Sequence, residues 1–173
     1  MKFTTVVAPL ALLAGSAVAT TESIVQGVTV VDLSTLKLKN YIDTWTGNLL
    51  GALPIVAEST SLLANINRGE KAAKASEEVD IYGALAIAEI TTKLQGSVNG
   101  TMRSLIDAKP KFKKLGQGPI ILLNLKLQKS ATEDMSAAIV EKVPDYLREL
   151  AAGLTEPILA DFDLALDEFA LFQ

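Results

Sequence analysis

Four carboxylates near the C-terminus are the residues whose spacing most resembles a site for chemistry. They lie in DFDLALDE, which runs from Asp161 to Glu168. Clustered carboxylates can bind calcium. A calcium loop needs a turn glycine and ligands at fixed positions, and this segment has neither. We therefore expect the solvated face of a helix here, with no metal bound.

Histidine and cysteine are both absent from the 173 residues. The lack of histidine excludes Ser-His-Asp triads and most zinc sites, and the lack of cysteine excludes disulfides. No serine lies in a recognisable nucleophile turn. We expect no enzymatic activity, no catalytic residue and no cofactor. The net charge of −4 also argues against nucleic acid as a partner.

A cluster of lysines is the next candidate for function. The segment KPKFKKLG contains Lys109, Lys111, Lys113 and Lys114. They follow the end of a predicted helix, where positive charge complements the helix dipole. A functional alternative is a basic rim that meets a lipid carboxylate or an anionic surface, because a long apolar run comes next. The sequence leaves both interpretations open.

Polar residues also interrupt the apolar stripes. Gln128 and Thr132 share a helical face with Leu125, and Ser59 shares one with Leu62. A buried polar group needs a partner. That partner could be the head group of a bound lipid or a group on another helix, or the face could meet water at the edge of a bundle. The hypothesis for function is that Ser59, Gln128 and Thr132 hold a head group.

These residues need helices to position them. Apolar residues recur at spacings near 3.6 between prolines and glycines. This pattern predicts helices over residues 28–45, 54–75, 79–109, 119–142 and from 144 to the C-terminus. Pro54 is expected in a first helical turn and Pro157 at a kink, while IVQGVTVV near Ile24 could instead be extended. The expected fold is all-α, a single bundle of about five helices with short connections.

The apolar stripes supply candidates for the lining of a ligand site. They are Leu62, Ile66, Leu94, Val98, Leu125, Met135, Ile139, Leu154, Ile158 and Phe162. An acyl chain between such helices would gain about 0.8 kcal/mol for each buried methylene. The alternative is that the same side chains simply fill the core.

The N-terminus reads as a secretory signal peptide over residues 1–19, with Lys2 before an apolar stretch and small residues at Ala17 and Ala19. Residues 20–173 then form one domain. Asp167 and Glu168 interrupt the final apolar stretch, so we expect no GPI signal and no transmembrane segment. Asn99 begins the only N-glycosylation sequon. The expected location is extracellular.

Several segments, in this order and spacing, resemble the fungal hydrophobic surface binding protein A family, which overlaps with the cell wall galactomannoproteins. They are GALPI at residues 51–55, KPKFKKLG at 109–116, ILLNLKLQKSATEDMSAAI at 121–139 and the later VPDYL. The resemblance implies a secreted or cell-wall-associated protein, folded as a helical bundle, that adsorbs to hydrophobic surfaces or encloses a fatty acid. It also implies secreted lytic enzymes as partners. The alternative is a structural cell wall mannoprotein without a lipid site, which would lack an internal cavity.

Overall fold

The computed structural model describes residues 21–170, which are almost entirely helical. The predicted signal peptide lies outside this range. The helices are α1 (Thr21–Thr44), α2 (Leu49–Ala75), α3 (Ile81–Asp107), α4 (Lys109–Lys114), α5 (Gly118–Val140), α6 (Arg148–Gly153) and α7 (Glu156–Ala170), with a 3-10 turn at Asp145–Leu147. The all-α prediction of one bundle with short connections is confirmed.

The long helices surround a main core of buried apolar side chains, and a second, smaller buried cluster includes Ile24 and Val79. Helix α1 packs on α2 and α3, α2 also packs on α5, and α7 closes the bundle against α3 and α5. The buried apolar side chains include Ile42, Ile55, Ile66, Ile158 and Phe169. Each fully buried side chain of this size contributes about 1.5–3 kcal/mol through the hydrophobic effect.

Helix α1 already extends from Thr21, seven positions before the predicted start at Val28. The suggestion of an extended segment near Ile24 is therefore wrong. Ile24, Val28 and Val31 are all buried on the same side of the helix. Packing of this stripe outweighs the β propensity of the branched residues.

Helix α2 begins at Leu49, earlier than the predicted start at Pro54. Asn48 caps it, because its side-chain oxygen accepts a hydrogen bond from the Gly51 N–H at 2.6 Å. Pro54 therefore lies in the second turn and not in the first. Asp80 caps α3 in the same way, accepting from the Gly83 N–H at 2.8 Å.

The last predicted helix is broken instead of kinked. Helix α6 ends at Gly153, and α7 begins at Glu156. Pro157 is the second residue of α7, a position where its missing N–H costs little because the first N–H groups of a helix have no intrahelical partner. The predicted third helix, residues 79–109, corresponds to the single helix α3, which ends at Asp107, and Pro110 lies in the first turn of the separate short helix α4.

Candidate functional site: apolar cavities along the bundle

An apolar cavity with a volume of about 110 Å³ lies between α3, α5 and the C-terminal helices, and it is the largest of the three cavities described below. We call it the large cavity. Its lining consists of Val28, Ala84, Leu85, Ile87, Ala88, Thr91, Leu94, Thr132, Met135, Ser136, Ile139, Val140, Val143, Leu147, Leu150, Ala151, Leu154, Thr155 and Ile158. Leu85 and Leu150 are 62% and 67% exposed, so the cavity reaches the surface beside them. The break between α6 and α7 shapes its wall.

Two smaller cavities, each of about 30 Å³, continue along the bundle. The middle cavity touches α1, α2, α3, α5 and α7. Its lining consists of Val31, Thr35, Leu62, Ile66, Leu94, Val98, Thr101, Met102, Thr132, Met135, Ile158 and Phe162. The far cavity lies among α1, α2, α3 and α5. Its lining consists of Leu38, Ile42, Ile55, Val56, Ser59, Thr101, Met102, Leu105, Ile121, Asn124, Leu125 and Gln128.

The ten predicted apolar lining residues all face one of these cavities. Leu94, Met135, Ile139, Leu154 and Ile158 line the large one. The middle cavity adds Leu62, Ile66, Val98 and Phe162, and Leu125 lines the far cavity. Most of these side chains are also buried core residues. Their contact with a ligand stays a prediction.

Two of the predicted head-group residues bind each other. Gln128 is buried, and its side-chain N–H donates to the Ser59 hydroxyl at 2.9 Å and to the Ser59 carbonyl at 3.1 Å. This contact joins α5 to α2 beside the far cavity. It matches one of the alternatives left open by the sequence, a hydrogen bond to another helix.

Thr132, the third predicted head-group residue, borders both the large and the middle cavity. Its hydroxyl donates to the Gln128 carbonyl one turn earlier, at 2.8 Å. Thr91 has the same arrangement on α3, donating to the Ile87 carbonyl at 2.7 Å. Both hydroxyl protons are therefore used within their own helices.

A pair of hydroxyls in the large cavity was not predicted from the sequence. Ser136 on α5 donates to the Thr155 hydroxyl oxygen at 2.8 Å. One proton of such a pair is used between the two oxygens, and the other can be donated to a third group. Ser136 lies one turn after Thr132, so extending the same stripe would have found it. Thr155 lies in the break between helices, where periodicity gives no signal.

The predicted basic rim lies at the opposite end of the bundle from the large cavity. Phe112 anchors α4, since its ring is buried with centroids 4.5 Å from Trp45 and 6.3 Å from Phe169. The lysines follow the end of α3. Along the helix axis this end lies roughly 20 Å from Leu94, a residue on the wall of the large cavity, because an α-helix rises 1.5 Å per residue. The far cavity is the one nearer to the lysines.

Two of these lysines hold the end of the bundle together. Lys109 pairs with Glu168 at 2.9 Å. Lys111 donates to the Trp45 carbonyl at 2.6 Å and lies 5.9 Å from the centre of the Trp45 ring. Lys113 and Lys114 are exposed.

An exposed apolar face lies beside the lysines. It consists of Leu49, Leu50, Leu53 and Val56 at the start of α2, with Ile120, Leu123 and Leu127 at the start of α5. Leu50 is 79% exposed. Among the described residues, α2 is the one helix long and apolar enough to cross a membrane, by length and composition alone. Its other face is packed into the bundle.

Titratable groups with a shifted pKa lie away from the three cavities. The hydrogen bond from Lys129 to Asp163 raises the pKa of the lysine, and the bond from Lys37 to Glu58 raises that of Lys37. No group of three or more acidic, histidine or cysteine side chains within residues 21–170 is placed to hold a metal ion. The large cavity thus offers apolar surface and hydroxyls.

Asn99, the predicted glycosylation site, lies in the middle of α3. Its side-chain amide donates to the Asp161 carboxylate of α7 at 2.7 Å. Thr101 of the same sequon is buried and donates to the Ser97 carbonyl at 2.7 Å. The occupancy of the sequon stays a prediction.

Comparison with known proteins gives a consistent set of relatives. The sequence profile of the hydrophobic surface binding protein A family matches residues 21–141. Cell wall mannoprotein 1 of Aspergillus flavus is 31% identical over 121 residues, covering 69% of this chain and 44% of the relative. The protein of the same name from Aspergillus fumigatus is 27% identical over 139 residues, covering 80% and 48%. The chain thus spans about half the length of these curated relatives.

Solved structures share the fold. The crystal structure of AFMP4P in complex with palmitic acid superposes with a TM-score of 0.83 at 21% identity, covering 86% of this chain and 99% of that one. Ligand binding domain 2 of the Penicillium marneffei MP1 protein, complexed with multiple arachidonic acids, gives 0.81 at 22% identity, covering 86% and 95%. At these identities the likeness establishes the helical architecture.

Proposed function

Since the chain belongs to the hydrophobic surface binding protein A family, we propose that it is a secreted, non-enzymatic protein that binds fatty-acid-like lipids in the apolar interior of its bundle. The observation that carries the proposal is the large cavity, which opens beside Leu85 and Leu150 and has almost entirely apolar walls. Structures of the same fold are complexes with palmitic and arachidonic acids. An acyl chain is the ligand class that such walls favour.

The size of the cavity says how much of a ligand it can take. Small-molecule sites usually enclose about 300–1,000 Å³, and a dry cavity of about 150 Å³ accepts benzene. At about 110 Å³ the large cavity holds only part of a long acyl chain. The rest has to extend through the opening or enter the smaller cavities.

The hydroxyl pair of Ser136 and Thr155 is the best candidate for contact with the carboxylate. It lies in the large cavity, and it has a proton to donate beyond the pair. A hydrogen bond to a charged group contributes about 1.5–3 kcal/mol. Thr132 and the bonded pair of Ser59 and Gln128 then serve the packing of the walls.

A cavity-filling variant tests this proposal directly. Ala88 lines the large cavity, and Ala86 lies exposed on the same helix. The Ala88→Phe substitution should abolish displacement of a fluorescent fatty acid analogue by hexadecanoic acid. The matched control, Ala86→Phe, should leave displacement unchanged. Equal affinity in the two variants, both folded, would place the ligand elsewhere.

The exposed apolar face at the starts of α2 and α5 favours a second activity, adsorption to hydrophobic surfaces. Its residues lie at the starts of two helices that pack on each other, and exposed Lys113 and Lys114 shortly precede α5 in the chain. Exposed apolar patches with a polar border are typical of interaction surfaces. Adsorption to alkane-coated beads would test this second activity.

Association with the cell wall and a partnership with lytic enzymes stay predictions. The presence of the large cavity disfavours the alternative of a purely structural mannoprotein.

A further inference from the structure

The three cavities form a row in which each neighbouring pair shares a wall. Leu94, Thr132, Met135 and Ile158 border both the large and the middle cavity. Thr101 and Met102 border both the middle and the far cavity. A layer of single side chains therefore separates each pair of cavities.

The shared walls differ in how easily they can move. Leu94 and Ile158 are branched, and the Thr101 hydroxyl is bonded to the Ser97 carbonyl at 2.7 Å. Met135 and Met102 are unbranched, with three rotatable side-chain bonds and a polarisable sulfur. The methionines are thus the wall residues that can rearrange at least cost.

Gly69 on α2 gives Met135 its present position. A Cβ atom at Gly69 would lie 2.5 Å from Met135 Cε and 2.8 Å from Sδ. The end of the methionine side chain therefore occupies the space left by the missing side chain of the glycine. A residue larger than glycine would push Met135 towards the cavities.

We propose that Met135 and Met102 are movable partitions in a single track for one acyl chain, and that the recess at Gly69, which holds the end of the Met135 side chain, limits how far Met135 extends into that track. This inference rests on the proposed function. It makes Met135 a residue that determines chain length. A short chain fits in the large cavity, and a longer one has to pass Met135 to reach the middle cavity.

The test compares the affinity of purified variants for octanoic, dodecanoic and hexadecanoic acid. Met135→Ala removes the partition and should raise the ratio of hexadecanoic to octanoic affinity roughly tenfold, about what two further buried methylenes contribute. Ile139→Ala is the matched control, because Ile139 lines the large cavity but neither of the two smaller cavities. It should change the affinities for short and long chains alike.

Gly69→Ala gives the opposite perturbation. It should lower the affinity for hexadecanoic acid, and combining it with Met135→Ala should restore that affinity, because the side chain that collides is gone. If Gly69→Ala does not fold, the comparison of Met135→Ala with Ile139→Ala still tests whether Met135 determines chain length.

The outcomes separate the two proposals. If the wild-type protein binds none of the three acids, the proposed function fails and the partition with it. If the wild type binds them and Met135→Ala leaves the chain-length profile unchanged, the partition is wrong while the proposed function stands. A changed profile in Ile139→Ala equal to that in Met135→Ala would also overturn the role of Met135.

Discussion

Ser136 on α5 and Thr155 at the break before α7 share a hydrogen bond of 2.8 Å between their hydroxyl oxygens, inside the large cavity. This contact places a proton donor among walls of leucine, isoleucine and valine. It gives the cavity a polar point at which an amphiphilic ligand can be oriented. The cavity therefore suits a molecule with one polar group on a long apolar chain.

Removing the hydroxyl pair should weaken binding of a fatty acid. In the double variant Ser136→Ala, Thr155→Val, we expect the affinity for hexadecanoic acid to fall about tenfold or more, as for the loss of a hydrogen bond to a charged group. Titration calorimetry with the free acid and with its methyl ester measures the effect. The ester should be affected much less. Thr91→Val is the control, because the Thr91 hydroxyl already donates within its own helix. An equal loss of affinity in this control would argue against a specific role for Ser136 and Thr155.

Gln128 should matter for stability more than for binding. Its amide donates twice to Ser59 in the buried contact between α2 and α5. Gln128→Ala should lower the free energy of unfolding by about 1–3 kcal/mol, because Ser59 is left without its partner. Urea unfolding measures this change, and fatty-acid affinity of the folded variant should stay the same. If Gln128→Ala instead lowered the affinity for fatty acid without lowering the free energy of unfolding, Gln128 would be a head-group contact, as first predicted.

The exposed apolar face should control adsorption without affecting the interior. Leu50→Gln and Leu53→Gln together should reduce retention on alkane-coated beads, since both side chains are largely exposed on α2. Leu164→Gln on α7 is a matched control, with 53% of that leucine exposed. Equal retention of the α2 variant and the control would argue against this face as the contact surface.

Lys114 should strengthen binding of the protein to anionic lipid more than its binding to neutral surfaces. Charge near an anionic membrane contributes about 1 kcal/mol per lysine, so Lys114→Glu should weaken binding to phosphatidylserine vesicles about fivefold or more. Lys71→Glu on the exposed side of α2, near the other end of the bundle, is the control. Vesicle sedimentation at low and high salt measures both. An equal loss on alkane-coated beads would mean that charge is not the cause.

The sequence predicted the helices and their buried stripes well, because apolar spacing directly reflects which side of a helix is buried. It placed Ile158 and Phe162 on the inner side of α7, where they lie. It could not place the lysines of α4 relative to the cavity, since that depends on how the helices pack. It also predicted Pro157 at a kink, whereas the chain leaves the helix before it and thereby brings Thr155 to the cavity.

Native mass spectrometry of the purified protein, with hexadecanoic acid added, is the most direct test for a lipid site inside the bundle. We expect a complex with one fatty acid per chain, which survives transfer from solution and disappears in Ala88→Phe but not in Ala86→Phe. A wild-type protein that stays unliganded with added hexadecanoic acid, while still coating hydrophobic beads, would contradict an enclosed lipid site.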